Sequence, residues 1–151
     1  MPRAVNRLIG PSPKLKPEMP RRRPLRVILD SNFLFLPAQF GIDIFEAIQD
    51  LLCRRVELVL PSPVYEETIR AASRYQGPER LAAELAKRCV VIPVEKLPGE
   101  SVDDLIVRLA REWRCPVATN DRALRKRLRA IGVPVIYLRG LGKLEVDGEV
   151  S

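Results

Sequence analysis

The chain has 151 residues, with 26 Lys+Arg against 19 Asp+Glu, a net charge of +7, three cysteines and no histidine. That length suits one domain with a core that needs no disulfide or structural metal; Cys53, Cys89 and Cys115 never form a CxxC, which argues against a zinc ribbon or a secreted disulfide framework and for a reducing, cytoplasmic setting. Without histidine there is no Ser/His or Cys/His nucleophile pair, no imidazole base and no His-ligated zinc, so any metal site must use oxygen ligands.

Residues 1 to 26 hold eight basic side chains (among them Arg21, Arg22 and Arg23), one acid and six prolines, with no hydrophobic period. The arm, set at residues 1–25, is expected to be disordered and to make salt-sensitive phosphate contacts; the plainer alternative is a solubilising tail. Beyond it the charges balance, 18 against 18, and short apolar runs alternate with amphipathic helical patterns, the pattern of an α/β domain with a parallel sheet over residues 26–140. Strand one is Val27 to Leu29, closed by Asp30. No membrane span follows, because Asp30, Pro37, Asp43 and Glu46 interrupt the most apolar region.

After Gly41 a helix starts at Asp43, with Glu46 three residues on and Ile44, Ile48, Leu51 and Leu52 inward. Strand two is Val56 to Leu60, and Ser62-Pro63 then gives a polar cap and a proline at the first position of a helix carrying Glu66 and Glu67. Gly77-Pro78 starts another helix, with Leu81, Ala82, Leu85 and Ala86 as its apolar face, followed by a strand at Val90 to Val94. Residues 102, 105, 106, 109, 110 and 113 repeat at helical spacing and mark the clearest buried helix. Val117 to Thr119 is a strand, Arg122 to Ile131 a helix with Leu124, Leu128 and Ile131 inward, Gly132 its stop, and Val133 to Leu138 the last long strand. Residues 141–151 read as a short tail or a small edge strand.

Chemistry in such a sheet collects beyond the carboxyl ends of the strands, and there the acids gather. Asp30 is followed by Ser31 and Asn32; Asp121 closes Thr119-Asn120-Asp121, so two of the three asparagines sit beside these aspartates. Asp121 could equally be a plain cap of the Arg122 helix. In Ser101-Val102-Asp103-Asp104, Ser101 as cap makes Asp104 the structural acid, while Asp103, three and seven residues before Ile106 and Ala110, projects along the buried face toward the sheet end. Periodicity does not choose between Glu66 and Glu67. Two charges 4 Å apart repel by about 4 kcal/mol at an effective dielectric of 20, so acids converging on one crevice imply protons or a hard divalent cation, and with it phosphodiester hydrolysis. Arg122, Arg125, Lys126, Arg127 and Arg129 crowd the adjoining helix; Arg122, Lys126 and Arg129 share a face that could track a phosphate backbone, or a solvated face paired with nearby acids.

With these residues in place, the stretches VILDSNFLFLP, PSPVYEE, SVDDLIVRLA and VATNDRALRKRLRAIGVPVIYL together resemble a PIN domain, the metal-dependent nuclease fold. FGIDIFEAI and the closing RALRKRLRAIGVPVIYLRG look most like archaeal PIN proteins related to the eukaryotic nucleases that cut precursor ribosomal RNA. The resemblance implies three layers, with a five-stranded parallel sheet between helices, and a single-strand-directed endonuclease leaving 5′-phosphate ends. It assigns the family's four acids to Asp30, Glu67, Asp103 and Asp121, as catalytic residues and ligands of one or two Mg²⁺ or Mn²⁺ ions, supported by Ser31, Asn32, Thr119 and Asn120. Ser31 stands where Thr is commoner, and Thr68 replaces an apolar residue.

The function expected from this is an endoribonuclease using metal-activated water, in ribosomal RNA processing or RNA turnover, with RNA or a ribosomal particle as partner, Arg21, Arg22, Arg23, Arg122, Arg125, Lys126 and Arg129 as RNA contacts, and a homodimer as in many PIN relatives. The alternatives are a non-catalytic ribosome-assembly module and a toxin-type PIN ribonuclease.

Overall fold

A computed structural model describes residues 23–151 of the chain. Most of the basic arm, with Arg21 and Arg22, lies outside the described residues; Arg23 is exposed, and Leu25 already belongs to the first strand.

Six strands form one sheet: β1 (Leu25–Leu29), β2 (Val56–Pro61), β3 (Val90–Ile92), β4 (Val117–Ala118), β5 (Val135–Arg139) and β6 (Lys143–Asp147). Their order is β3-β2-β1-β4-β5-β6. The first five are parallel, as the sequence implied, and β6 adds an antiparallel edge by folding back on β5. The tail therefore supplies a strand at 143–147, and the sheet is mixed rather than purely parallel. Central strands covered on both faces read as unbroken apolar runs, and Val27, Ile28, Leu29, Val59 and Leu60 are fully buried.

Six helices flank the sheet: α1 (Leu36–Phe40), α2 (Ile44–Leu52), α3 (Ser62–Ser73), α4 (Leu81–Arg88), α5 (Val102–Trp113) and α6 (Arg122–Ala130). The sequence reading missed α1 and the 3₁₀ turn over Ser31–Phe35 that precedes it. The apolar run Phe33 to Ala38 at the centre of this segment has no period to separate strand from helix. It folds because Asp30 caps the turn and because Phe33 and Leu34 are fully buried, while Gly41 at φ +68° ends α1.

Three finer expectations change. Ser62 does not cap α3 from outside. It is the helix's first residue, and its hydroxyl donates to Val94 O and accepts from Val94 N, both at 3.1 Å, pinning the loop after β3. Leu81 is exposed, because a 3₁₀ turn at Pro78–Arg80 shifts the start of α4 and leaves Ala82, Leu85 and Ala86 as the buried face. Ile131 is also exposed, since α6 stops at Ala130 and Gly132, at φ +81°, turns the chain away.

At α5 the capping box forms in full: Ser101 Oγ accepts from Asp104 N at 3.0 Å and Asp104 Oδ2 accepts from Ser101 N at 3.1 Å. Ser101→Ala should cost about 1 kcal/mol of stability in urea unfolding without changing the folded signature, as loss of a helix cap does.

Candidate active site

The sheet order turns around at β1, since the chain winds outward through β2 and β3 on one side and through β4 and β5 on the other. The crevice of such a sheet opens between β1 and β4 at their carboxyl ends. Register places Leu29 opposite Ala118, so Asp30 and Thr119, the next residues, stand abreast. Asp30 N donates to Ala118 O at 2.9 Å, and Thr119 Oγ1 donates to Asp30 Oδ2 at 2.7 Å. Two more donors hold the carboxylate: Ser31 N to Oδ1 at 2.8 Å and Asn32 Nδ2 to Oδ2 at 3.2 Å.

Around this buried carboxylate stand the other acids. Glu67, from the second turn of α3, accepts from Ser31 Oγ at 2.8 Å, whereas Glu66 is exposed. Thr68 is fully buried, and its hydroxyl is spent on Val64 O at 2.9 Å. It can therefore take an apolar position while Glu67 faces the crevice. Asp121 caps α6 by accepting from Leu124 N at 3.0 Å, and its own N–H donates to Thr119 Oγ1 at 3.1 Å. The cap expected of it is therefore present, and its carboxylate stands at the start of the helix beside Thr119. Asp103 sits half-buried at the first turn of α5, and its neighbour Asp104 is tied up in the capping box and an ion pair with Arg127 at 2.9 Å. Asn120 accepts from Leu138 N at 2.8 Å and donates its backbone N–H to Asn32 Oδ1 at 3.3 Å, which links β5 to the Asp30 cradle.

The acids feel one another. Burial, with the charges of Asp103 and Glu67 adding to it, pushes the Asp30 carboxyl up to about 6 against the hydrogen bonds from Thr119 and Ser31. Burial also raises Asp103, helped by the charges of Asp121, Glu67 and Asp104 and opposed by Arg127. Asp104, by contrast, is lowered by its Ser101 hydrogen bonds and by Arg127.

Among the described residues no three of these carboxylates stand close enough to ligate one ion together. The donor chemistry nevertheless suits a hard divalent ion. Mg²⁺ is usually bound through one or two carboxylates and keeps several waters, and acids whose fields raise one another's pKa are relieved by such a charge. Two of the three thiols are buried away as ligands, because burial pushes Cys89 up to about 12 and Cys115 up to about 11.

On α6, Arg125 and Arg129 both turn to Asp147 of β6, at 3.1 and 3.2 Å, and Arg125 lies 3.7 Å over the Tyr137 ring. Arg122 and Lys126 are exposed and have no ion pair among the described residues. The face shared by Arg122, Lys126 and Arg129 is therefore divided. Sequence reasoning missed Tyr137, Arg139 and Asp147; a signal for the last was an acid near the end of the chain, able to answer the excess of arginine on α6.

A parallel α/β sheet with carboxylates at its switch point is the arrangement found in PIN domains, and residues 27–141 match the family model described as PIN like domain; the chain belongs to that family. It is 34% identical over 119 residues to rRNA-processing protein fcf1 of Schizosaccharomyces pombe, covering 75% of this chain and 58% of that one. It is 29% identical over 129 residues to Ribonuclease VapC4 of Methanocaldococcus jannaschii, covering 83% and 98%. It also superposes on the solved PIN domain endonuclease Utp24 with a TM-score of 0.70 and 30% identity, over 84% of this chain and 94% of the other. The chain thus spans a little under three-fifths of the length of the fcf1 relative and nearly all of VapC4.

A carboxyl raised from 3.8 to about 6 in the folded state binds more protons there than in the unfolded chain, so stability is lost as pH rises from about 4 through about 6. The full penalty is on the order of 3 kcal/mol. In EDTA, urea unfolding of Asp30→Asn against the parent should therefore shift in favour of the variant by that order between pH 4 and pH 8. A difference that stays flat with pH would refute the shifted carboxyl.

Proposed function

We propose that this chain is a metal-dependent endoribonuclease that cuts single-stranded RNA by water attack, in ribosomal RNA processing or RNA turnover in the cytoplasm. The observation that carries this is the Asp30 cradle: a buried carboxylate fixed by three donors, with Glu67 and Asp103 in electrostatic reach of it and Asp121 in reach of Asp103. Family membership supports a nuclease, and relatives named as a ribonuclease and as rRNA-processing proteins support RNA as the substrate. Among the described residues no helix is long and apolar enough to cross a membrane.

Asp30, Asp103 and Asp121, with Glu67, would hold one or two Mg²⁺ or Mn²⁺ ions, no more than two of them touching any one ion and the others acting through its waters. Such an ion supplies positive charge for the scissile phosphate and a water of lowered pKa. The chain's own part is positional. Thr119 fixes the plane of the Asp30 carboxylate and, through Asp121 N, the start of α6. Ser31 holds Glu67 so that its carboxylate can accept a proton from water or orient it. Because Asp30 must ionise before it can bind a cation, metal affinity should rise with pH across its titration near 6.

A toxin-type ribonuclease is the second reading, favoured by one observation: the near-complete span of Ribonuclease VapC4.

Purified protein should cut end-labelled single-stranded RNA with Mg²⁺ or Mn²⁺ and not with EDTA, and Asp30→Asn should reduce cutting to the EDTA level. The products should carry 5′-phosphates. Ends bearing 2′,3′-cyclic phosphate would instead mean attack by the RNA's own 2′-hydroxyl and would contradict the water mechanism.

A further inference from the structure

On the β5 side of the crevice the surface changes sign. Thr119 and Asn120 form a wall, with the acids on one side and on the other a groove of about 300 Å³ between the carboxyl end of β5 and the start of α6. Three guanidinium groups line this groove, from Arg122, Arg125 and Arg139, and among the described residues no carboxylate does.

The three arginines differ in what they have left to offer. Arg125 is committed, stacked on Tyr137 and paired with Asp147 behind it. That contact builds the groove's side rather than leaving a free charge. Arg139 reaches Glu145 at 3.3 Å with its side chain 70% exposed, an arrangement that a stronger anion can displace at little cost. Arg122 is exposed and has no ion pair among the described residues. Asn120 adds a donor, since its side-chain oxygen is occupied by Leu138 N and its amide nitrogen has no partner among the described residues. Guanidinium forks and an amide in a small polar groove match the oxygens of a phosphate and a sugar hydroxyl.

The groove is also tied to the acids by hydrogen bonds. Asn120 N donates to Asn32 Oδ1, and Asn32 Nδ2 donates to Asp30 Oδ2. Whatever lies in the groove shares a wall with the carboxylate that anchors the site.

We propose that this groove is a nucleotide subsite, in which Arg122 and Arg139 hold the phosphate of the nucleotide adjoining the scissile bond of a single strand. The inference rests on the nuclease reading for the position of the scissile phosphate beside the acids. The strand then leaves the acidic centre over Thr119 and Asn120, and the sign change across that wall sets its direction.

The test is fluorescence anisotropy of a labelled single-stranded oligoribonucleotide of about 12 nucleotides, within the span one small domain can engage, titrated in EDTA over a series of salt concentrations. Arg122→Ala and Arg139→Ala should each weaken binding about 5- to 10-fold, and each should flatten the plot of log affinity against log salt by about 0.7, the value of one lost phosphate contact. Arg111→Ala, at the opposite end of the strands, should leave both unchanged. With metal added, the double variant should raise KM for cleavage and leave kcat within about twofold, the mark of lost uniform binding. Unchanged affinity and salt slope in the double variant would overturn the subsite whether or not the protein cuts RNA. A 5′-mononucleotide that competes as well as the oligonucleotide would assign the groove to a free nucleotide and overturn it as well. If no metal supports cutting yet the double variant still loses binding, the nuclease reading fails and the strand-binding groove survives it.

Discussion

Beyond the backbone ladder between β1 and β4, a side-chain hydrogen bond from Thr119 Oγ1 to Asp30 Oδ2 ties the two halves of the sheet at the point where its winding reverses. Both residues are buried, and a buried carboxylate without donors would carry a desolvation cost of several kcal/mol. The bond exists because Leu29 pairs with Ala118, which brings the next residue of each strand abreast. A register slip of one residue would turn the hydroxyl to the other face. The same Thr119 oxygen accepts from Asp121 N, so a single side chain orients one acid directly and sets the helix start that carries another.

From this follows an electrostatic tension that the rest of the domain contains. Asp103 and Asp104 are neighbours in sequence, yet they shift in opposite directions. Asp104, half-exposed and held by Ser101 and Arg127, is easier to ionise, while Asp103, raised by burial and by the charges of Asp121 and Glu67, is harder. The first stabilises the helix that presents the second. Such division between a structural and a strained acid is expected where a site gives up stability for chemistry. The core compensates with continuous burial of Val27 to Leu29 in β1 and Leu58 to Leu60 in β2 and with fully buried side chains on α5 and α6.

What could be read from the sequence was what rests on local periodicity and capping. The spacing of Leu105, Ile106, Leu109 and Ala110 identifies α5, and the position of Ser101 as cap separates Asp104 from Asp103. The Glu66/Glu67 pair lay beyond that reach, because the hydrogen bond with Ser31 joins residues 36 apart in the chain. The segment after Asp30 was opaque for a different reason: its fate as a 3₁₀ turn and short helix is decided by the burial of Phe33 and Leu34 against the rest of the domain. Leu81 and Ile131 failed as core residues because Leu81 is the first residue of α4 and Ile131 the residue just after α6, and a periodic pattern carries no information about such a boundary.

The C-terminal hairpin shows how a long-range partner changes what a charge run means. Five basic residues on α6 suggest a uniform cationic face, but β6 places Asp147 against Arg125 and Arg129, and Asp104 takes Arg127. The pairing is selective along the helix. It neutralises the sides that meet β6 and α5 and leaves Lys126 and, at the end nearest the acids, Arg122 without an ion pair among the described residues. By stacking on Tyr137, Arg125 braces the wall of the neighbouring groove. An antiparallel edge strand thus does more than close the sheet. It turns a diffuse positive helix into a local positive patch beside the acids, the juxtaposition on which the proposed strand subsite rests.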